Sequence, residues 1–110
     1  MIIEEKNDEL SILKLEGRLD AASAKEIKSK INELVKNDRV KIVMDLSEIN
    51  FIDSTGLGCM VSCLRTVSKK GGDIKITGLQ AQVRAIFELT RLHRIFQIFD
   101  DTDAAVKNFE

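Results

Sequence analysis

The sequence predicts an α/β fold in which a mixed, mostly parallel β-sheet carries an antiparallel edge hairpin and about four α-helices. Three observations support this. Two short alternating segments flank the turn residues "NDE" near the start of the chain. Segments of strand length then alternate with segments of helical spacing, so successive strands are joined by right-handed crossovers. The run "VKIVMDL" (40–46) is almost continuously apolar and branched, as a strand buried on both faces requires.

In chain order, residues 1–6 and 10–16 form the hairpin. From Asp20 the period lengthens. Ala24, Ile27, Ile31, Leu34 and Val35 share one helical face, while Lys25, Glu26, Lys28, Lys30 and Glu33 point away. Asp20 is placed to cap this helix and "KND" to end it. After the buried strand at 40–46, a second helix occupies about 54–70 and "GGD" stops it. A strand follows at 74–77. A third helix at about 80–90 presents Val83, Ile86 and Phe87 on one side. "RIFQIF" supplies a short last strand, and 101–109 a last helix with Ala105 and Phe109 facing inward.

The 110 residues fit a single domain spanning 1–110. Hydrophobic residues are 44% and charged residues 32%, which supports a core and argues against disorder. The 17 basic and 18 acidic residues are interspersed, so no field gathers nucleic acid or an anionic membrane. No apolar run spans a bilayer and the acidic start is no signal peptide, so a cytoplasmic location is expected. Cys59 and Cys63 lie four apart on one helix, where a disulfide closes almost no loop. With His93 the sole histidine, no metal site is expected, and no cofactor either.

The junction "NFIDSTGLG" (50–58) sits at the carboxyl end of the most buried strand, where α/β sheets gather ligands and partners. Two readings of it stay open. In one, Asp53 or Ser54 is only a helix cap, and Gly56 and Gly58 only allow close packing. In the other, the site is used. Gly56 and Gly58 each cost the helix about 1 kcal/mol relative to alanine, so stability alone does not select them. Spacing also assigns Leu57, Met60, Val61, Leu64 and Val67 to the buried side. That leaves Thr55, Gly58, Cys59, Ser62 and Thr66 on an outer face, with Cys63 on its flank. Such a small, uncharged face suits docking of a protein, unless other elements cover it. A phosphate on Ser54, at a helix N-terminus, is compatible with folding but adds about −1.5 to −2 charges beside that face.

These segments carry a family resemblance. "EGRLDAASA" (16–24), "VMDLSEINFIDSTGLG" (43–58) and "GGDIKITGLQAQVRAIFELTRLHRIFQIFDD" (71–101) resemble the STAS-domain anti-anti-sigma factors, the bacterial anti-sigma factor antagonists, over essentially the whole chain. The resemblance implies a binding protein rather than an enzyme. Its unphosphorylated form binds an anti-sigma factor that is itself a serine kinase and so releases a sigma factor. Phosphorylation of Ser54 ends the interaction, and a PP2C-type phosphatase restores it. Asp20, Asp53, Thr55 and Gly56 are then the neighbours of the site, and Gly58, Cys59, Ser62, Cys63 and Thr66 the docking face. Two rivals have sequence signatures of their own. A STAS-type scaffold in a stress-signalling or transporter-associated complex shares the junction. A serine hydrolase needs a base for Ser54, and neither His93 nor a G-x-S-x-G elbow supplies the arrangement.

Overall fold

The computed structural model describes residues 2–109, so Met1 of the expected first strand and Glu110 lie outside the described residues. The elements are β1 (Ile2–Asn7), β2 (Leu10–Leu19), α1 (Ala21–Lys36), β3 (Lys41–Ile52), α2 (Ser54–Ser68), β4 (Asp73–Thr77), α3 (Ala81–Leu89), β5 (Gln97–Phe99) and α4 (Thr102–Asn108). One turn of 3₁₀ helix, Leu92–Arg94, precedes β5. The described strands form a single sheet in the order β1-β2-β3-β4-β5. β1 and β2 pair antiparallel, and every other pair is parallel. Each strand therefore lies beside its successor in sequence, and the expected α/β class with its antiparallel edge hairpin is what the chain adopts.

Right-handed crossovers between neighbouring strands put α1, α2 and α3 on one face of the sheet. The core forms there. Leu13 and Leu15 of β2, Ile42, Met44 and Leu46 of β3, and Ile74 and Ile76 of β4 meet Ile27, Ile31 and Leu34 of α1, Met60 and Val67 of α2, and Val83 and Phe87 of α3. Of the five residues expected to face inward from α1, Val35 is only half-buried. Ile86 of α3 is half-buried likewise. α4 lies on the opposite face, where it buries Ala105 and covers β3, β4 and β5. That cover explains why β3 needs apolar residues in both parities: Ile42 and Met44 face the crossover helices, while Val43 faces away from them.

A buried cation helps hold α4. The Lys75 ammonium lies 4.5 Å from the Phe109 ring centroid, with Asp73 at 3.2 Å and Gln97 as a further partner. Burial of a lysine is tolerated when its charge is paired and its donors are used. β3 runs to Ile52, six residues beyond the apolar run read from sequence. It also gains two residues on β2. The register passes from Lys14–Asp45 to Glu16–Glu48, and from Gly17–Ile49 to Arg18–Phe51. Such bulges bend a strand and re-aim its side chains.

Candidate functional site

The junction is built from two parallel strands that end together, each feeding a helix. Leu19 pairs with Ile52, so Asp20 and Asp53 follow on adjacent chains. Both are extended residues that cap their helices. The Asp53 carboxylate accepts the Gly56 N–H at 2.9 Å. The Asp20 carboxylate accepts the N–H groups of Ala22 (3.1 Å) and Ser23 (3.2 Å), while the Asp20 N–H donates to the Ser23 hydroxyl at 3.0 Å, closing a capping box. The Ser23 N–H, with help from the Arg18 guanidinium and the Ala22 N–H, holds the Asp20 carboxyl below the usual carboxylate range despite the opposing cost of desolvation.

The two caps are also clamped to each other. The Asp53 N–H donates to the Leu19 carbonyl at 3.2 Å. Gly56 packs on that same carbonyl so closely that a Cβ there would lie 2.2 Å from the Leu19 oxygen. Gly56 is thus required by the approach of α2 to β2. Gly58 has open space around it and is exposed. Its presence has no packing reason.

Ser54, the first residue of α2, is exposed. Its hydroxyl has no hydrogen-bond partner among the described residues, since Asp53 and not Ser54 makes the cap. An unengaged hydroxyl at a helix N-terminus is open to a transferase, and the free N–H groups and dipole of the first turn tolerate a negative charge on it. Thr55 beside it is exposed as well.

The expectation for the outer face of α2 needs correction. Cys59 and Cys63 do not lie on it: both are buried, together with Gly56, Met60 and Val67. The Cys59 thiol lies 3.7 Å from the Ala24 carbonyl of α1 and 4.0 Å from the Cys63 sulfur. The hydrogen bond with Cys59 and burial together push the Cys63 thiol up, so it remains protonated at neutral pH. The physical reason is that α2 packs against α1 as well as on the sheet. Small side chains suit such a helix–helix contact, so the buried arc is turned toward the cysteines. Leu57, Val61 and Leu64 correspondingly move to half-buried positions. The exposed arc carries Ser54, Gly58, Arg65 and Ser68, with Ser62 and Thr66 half-buried on its flank. The Thr66 hydroxyl donates back to the Ser62 carbonyl at 3.1 Å.

His93 lies on the 3₁₀ turn ahead of β5, two strands from β3, and its Nδ1 is 3.4 Å from the Phe87 carbonyl. It is not brought to Ser54 as a base. Sequence reasoning missed one residue at the junction. Arg18 packs its guanidinium carbon 3.8 Å from the centroid of Phe51 and pairs with Asp20 at 3.3 Å. The charge of Arg18 was legible, but its cross-strand partner depends on the bulge.

Comparison with known proteins covers nearly the whole chain. The family model described as STAS domain matches residues 1–105. The anti-sigma F factor antagonist of Paenibacillus polymyxa is 25% identical over 100 residues, spanning 90% of this chain and 86% of that protein. The anti-sigma-B factor antagonist of Bacillus subtilis is 29% identical over 91 residues, 83% of each chain. The crystal structure of a candidate anti-sigma factor antagonist from Thermotoga maritima matches with a TM-score of 0.91 at 28% identity, covering 97% of this chain and 92% of that one.

Proposed function

The chain belongs to the STAS domain family, and from that premise we propose that it is an anti-sigma factor antagonist switched by phosphorylation of Ser54. The unphosphorylated protein docks on an anti-sigma factor with serine kinase activity, and so releases a sigma factor. The kinase transfers the γ-phosphoryl group of ATP to the Ser54 oxygen. A P–O bond forms there, the bond to the β-phosphate breaks, and ADP and the hydroxyl proton leave. A PP2C-type phosphatase hydrolyses the phosphoester with water and restores the serine. The protein is a regulatory binding partner rather than an enzyme, and it works in the cytoplasm. Among the described residues no helix is long and apolar enough to cross a membrane.

The observation that carries this reading is the unengaged, exposed Ser54 hydroxyl at the head of a helix whose exposed arc is small and nearly uncharged. With the cap made by Asp53, modification of Ser54 removes no native hydrogen bond, so folding is spared. A phosphate adds about −1.5 to −2 charges where a partner fitted to the neutral serine has to exclude water. Asp53 stands beside it and adds repulsion. The docked state is lost and the fold is kept.

The test is a paired capture from the native lysate with the unmodified protein and Ser54→Asp as baits, followed by binding measurements on the purified partner. An ATP-binding serine kinase retained by the first bait and lost by the second is the expected result, with Ser54→Ala binding regardless of ATP. Equal capture of the same proteins by all three would overturn the switch and leave Ser54 as an ordinary first-turn residue.

A further inference from the structure

The second bulge of β3 has a specific product. Gly17 pairs with Ile49, and one residue later Arg18 pairs with Phe51, so Asn50 is the extra residue. In an unshifted register Arg18 would face Asn50. The left-handed backbone of Gly17 (φ 98°) lies in the same distortion. The outcome is a guanidinium laid over an aromatic ring, 3.8 Å from its centroid, and tied through Nε to the Asp20 carboxylate at 3.3 Å. Even so, the Arg18 side chain is 59% exposed. Its terminal nitrogens make no hydrogen bond among the described residues. An arginine normally loses much rotamer freedom when a partner binds it; here the ring and the carboxylate have restricted it beforehand.

Resting on the antagonist reading above, we propose that Arg18 is a partner-recognition residue whose outer edge receives an aspartate or glutamate carboxylate of the anti-sigma factor. Its place fits the task. Leu19, the next residue, accepts the Asp53 N–H and lies under Gly56, so Arg18 borders the Ser54 junction along the same β2–β3 end. Its chemistry selects the ligand. The planar fork of donors matches a carboxylate through two parallel hydrogen bonds. Asp20, Asp53, Glu16 and Glu48 surround the position in sequence and register, an acidic setting that repels a polyanion such as RNA but admits one aligned carboxylate. Asp20 itself is already engaged: one oxygen takes two backbone N–H groups and the other takes Arg18. Arg18 is the charged group here with donors to spare.

The experiment measures Kd by calorimetry between the purified anti-sigma factor identified in the capture above and five forms of this protein: parent, Arg18→Gln, Arg18→Lys, Arg18→Glu and Phe51→Leu. Melting temperatures and circular dichroism verify that each is folded. Arg18→Gln should weaken binding about tenfold or more, and flatten its dependence on salt. Arg18→Lys should restore only part of the loss, because an ammonium keeps the charge without the fork. Phe51→Leu should weaken binding several-fold through a guanidinium no longer held. Arg18→Glu should be rescued by an arginine in place of the partner's carboxylate. Tight binding by the parent with Arg18→Gln within twofold of it would overturn the assignment and leave the antagonist reading intact. A parent that binds no anti-sigma factor would instead overturn that reading, and this assignment with it.

Discussion

The two glycines at the head of α2 should respond to the same substitution with opposite sign. In Gly56→Ala the new Cβ would fall 2.2 Å from the Leu19 carbonyl oxygen, 2.7 Å from its carbon and 2.9 Å from the Leu19 Cβ. An ordinary carbon–oxygen contact needs about 1 Å more, and two of these three atoms are backbone that cannot rotate away. The Leu19 carbonyl also receives the Asp53 N–H, so retreat of either chain strains the clamp between the two caps. Overpacking of this kind costs about 1–3 kcal/mol, and rigid backbone atoms argue for the upper end. The gain in helix propensity offsets about 1 kcal/mol. The net loss is about 2 kcal/mol. Gly58→Ala meets nothing within 4 Å and keeps only the propensity gain, about 1 kcal/mol of stabilisation. The two variants should therefore differ by about 3 kcal/mol, or about 12 °C in Tm at about 4 °C per kcal/mol for a chain of this size. Urea titration and thermal melts followed by circular dichroism measure both. A Gly56→Ala protein as stable as Gly58→Ala would refute the close approach of α2 to β2.

The remaining expectations concern other parts of the molecule. Both thiols should resist Ellman's reagent in the native protein and react at the rate of unfolding, since Cys59 and Cys63 are each 2% exposed; fast stoichiometric labelling would contradict their position. Cys63→Ser should lower stability by about 1–3 kcal/mol through a buried hydroxyl short of partners. Lys75→Met should be close to neutral because it keeps the packing on Phe109, whereas Lys75→Ala should cost about 2 kcal/mol and expose α4 to proteolysis. The folded Asp20 pKa lies below its unfolded value of about 3.9, so its carboxylate stabilises at every pH above that value. This contribution is lost as pH falls through the folded pKa. A carbon-detected NMR titration should place its midpoint below 3.9, and Arg18→Gln should move it upward.

The order and type of the elements were legible because each rests on local information. Period, caps and breakers sit within a few residues of one another, and Asp20, Asp53 and Asp101 all cap helices as short side chains at such positions do. What escaped depends on which surfaces meet. The buried arc of α2 was misassigned because cysteine and glycine give a weak hydrophobic signal, while α1 supplies a neighbour that only small residues admit. The length of β3 escaped for a related reason. The apolar run ends at Leu46, yet "SEIN" (47–50) continues the ladder through two bulges that no single strand's sequence announces. Consequently the Ser54 position could be placed from sequence, and the pairing of Arg18 with Phe51 could not.

The sheet order, in which every strand neighbours its successor, governs how the chain can be made. Each crossover closes a loop of a single strand–helix unit, and loop-closure entropy grows with loop length. Relative contact order is kept modest for a parallel sheet, which favours folding faster than all-β proteins of equal size. A chain emerging from the ribosome can set down the β1–β2 hairpin, then add one strand and its helix at a time, without waiting for a distant partner. The α1–α2 surface is complete before β5 and α4 have left the tunnel. The Lys75–Phe109 contact comes last and seals the opposite face.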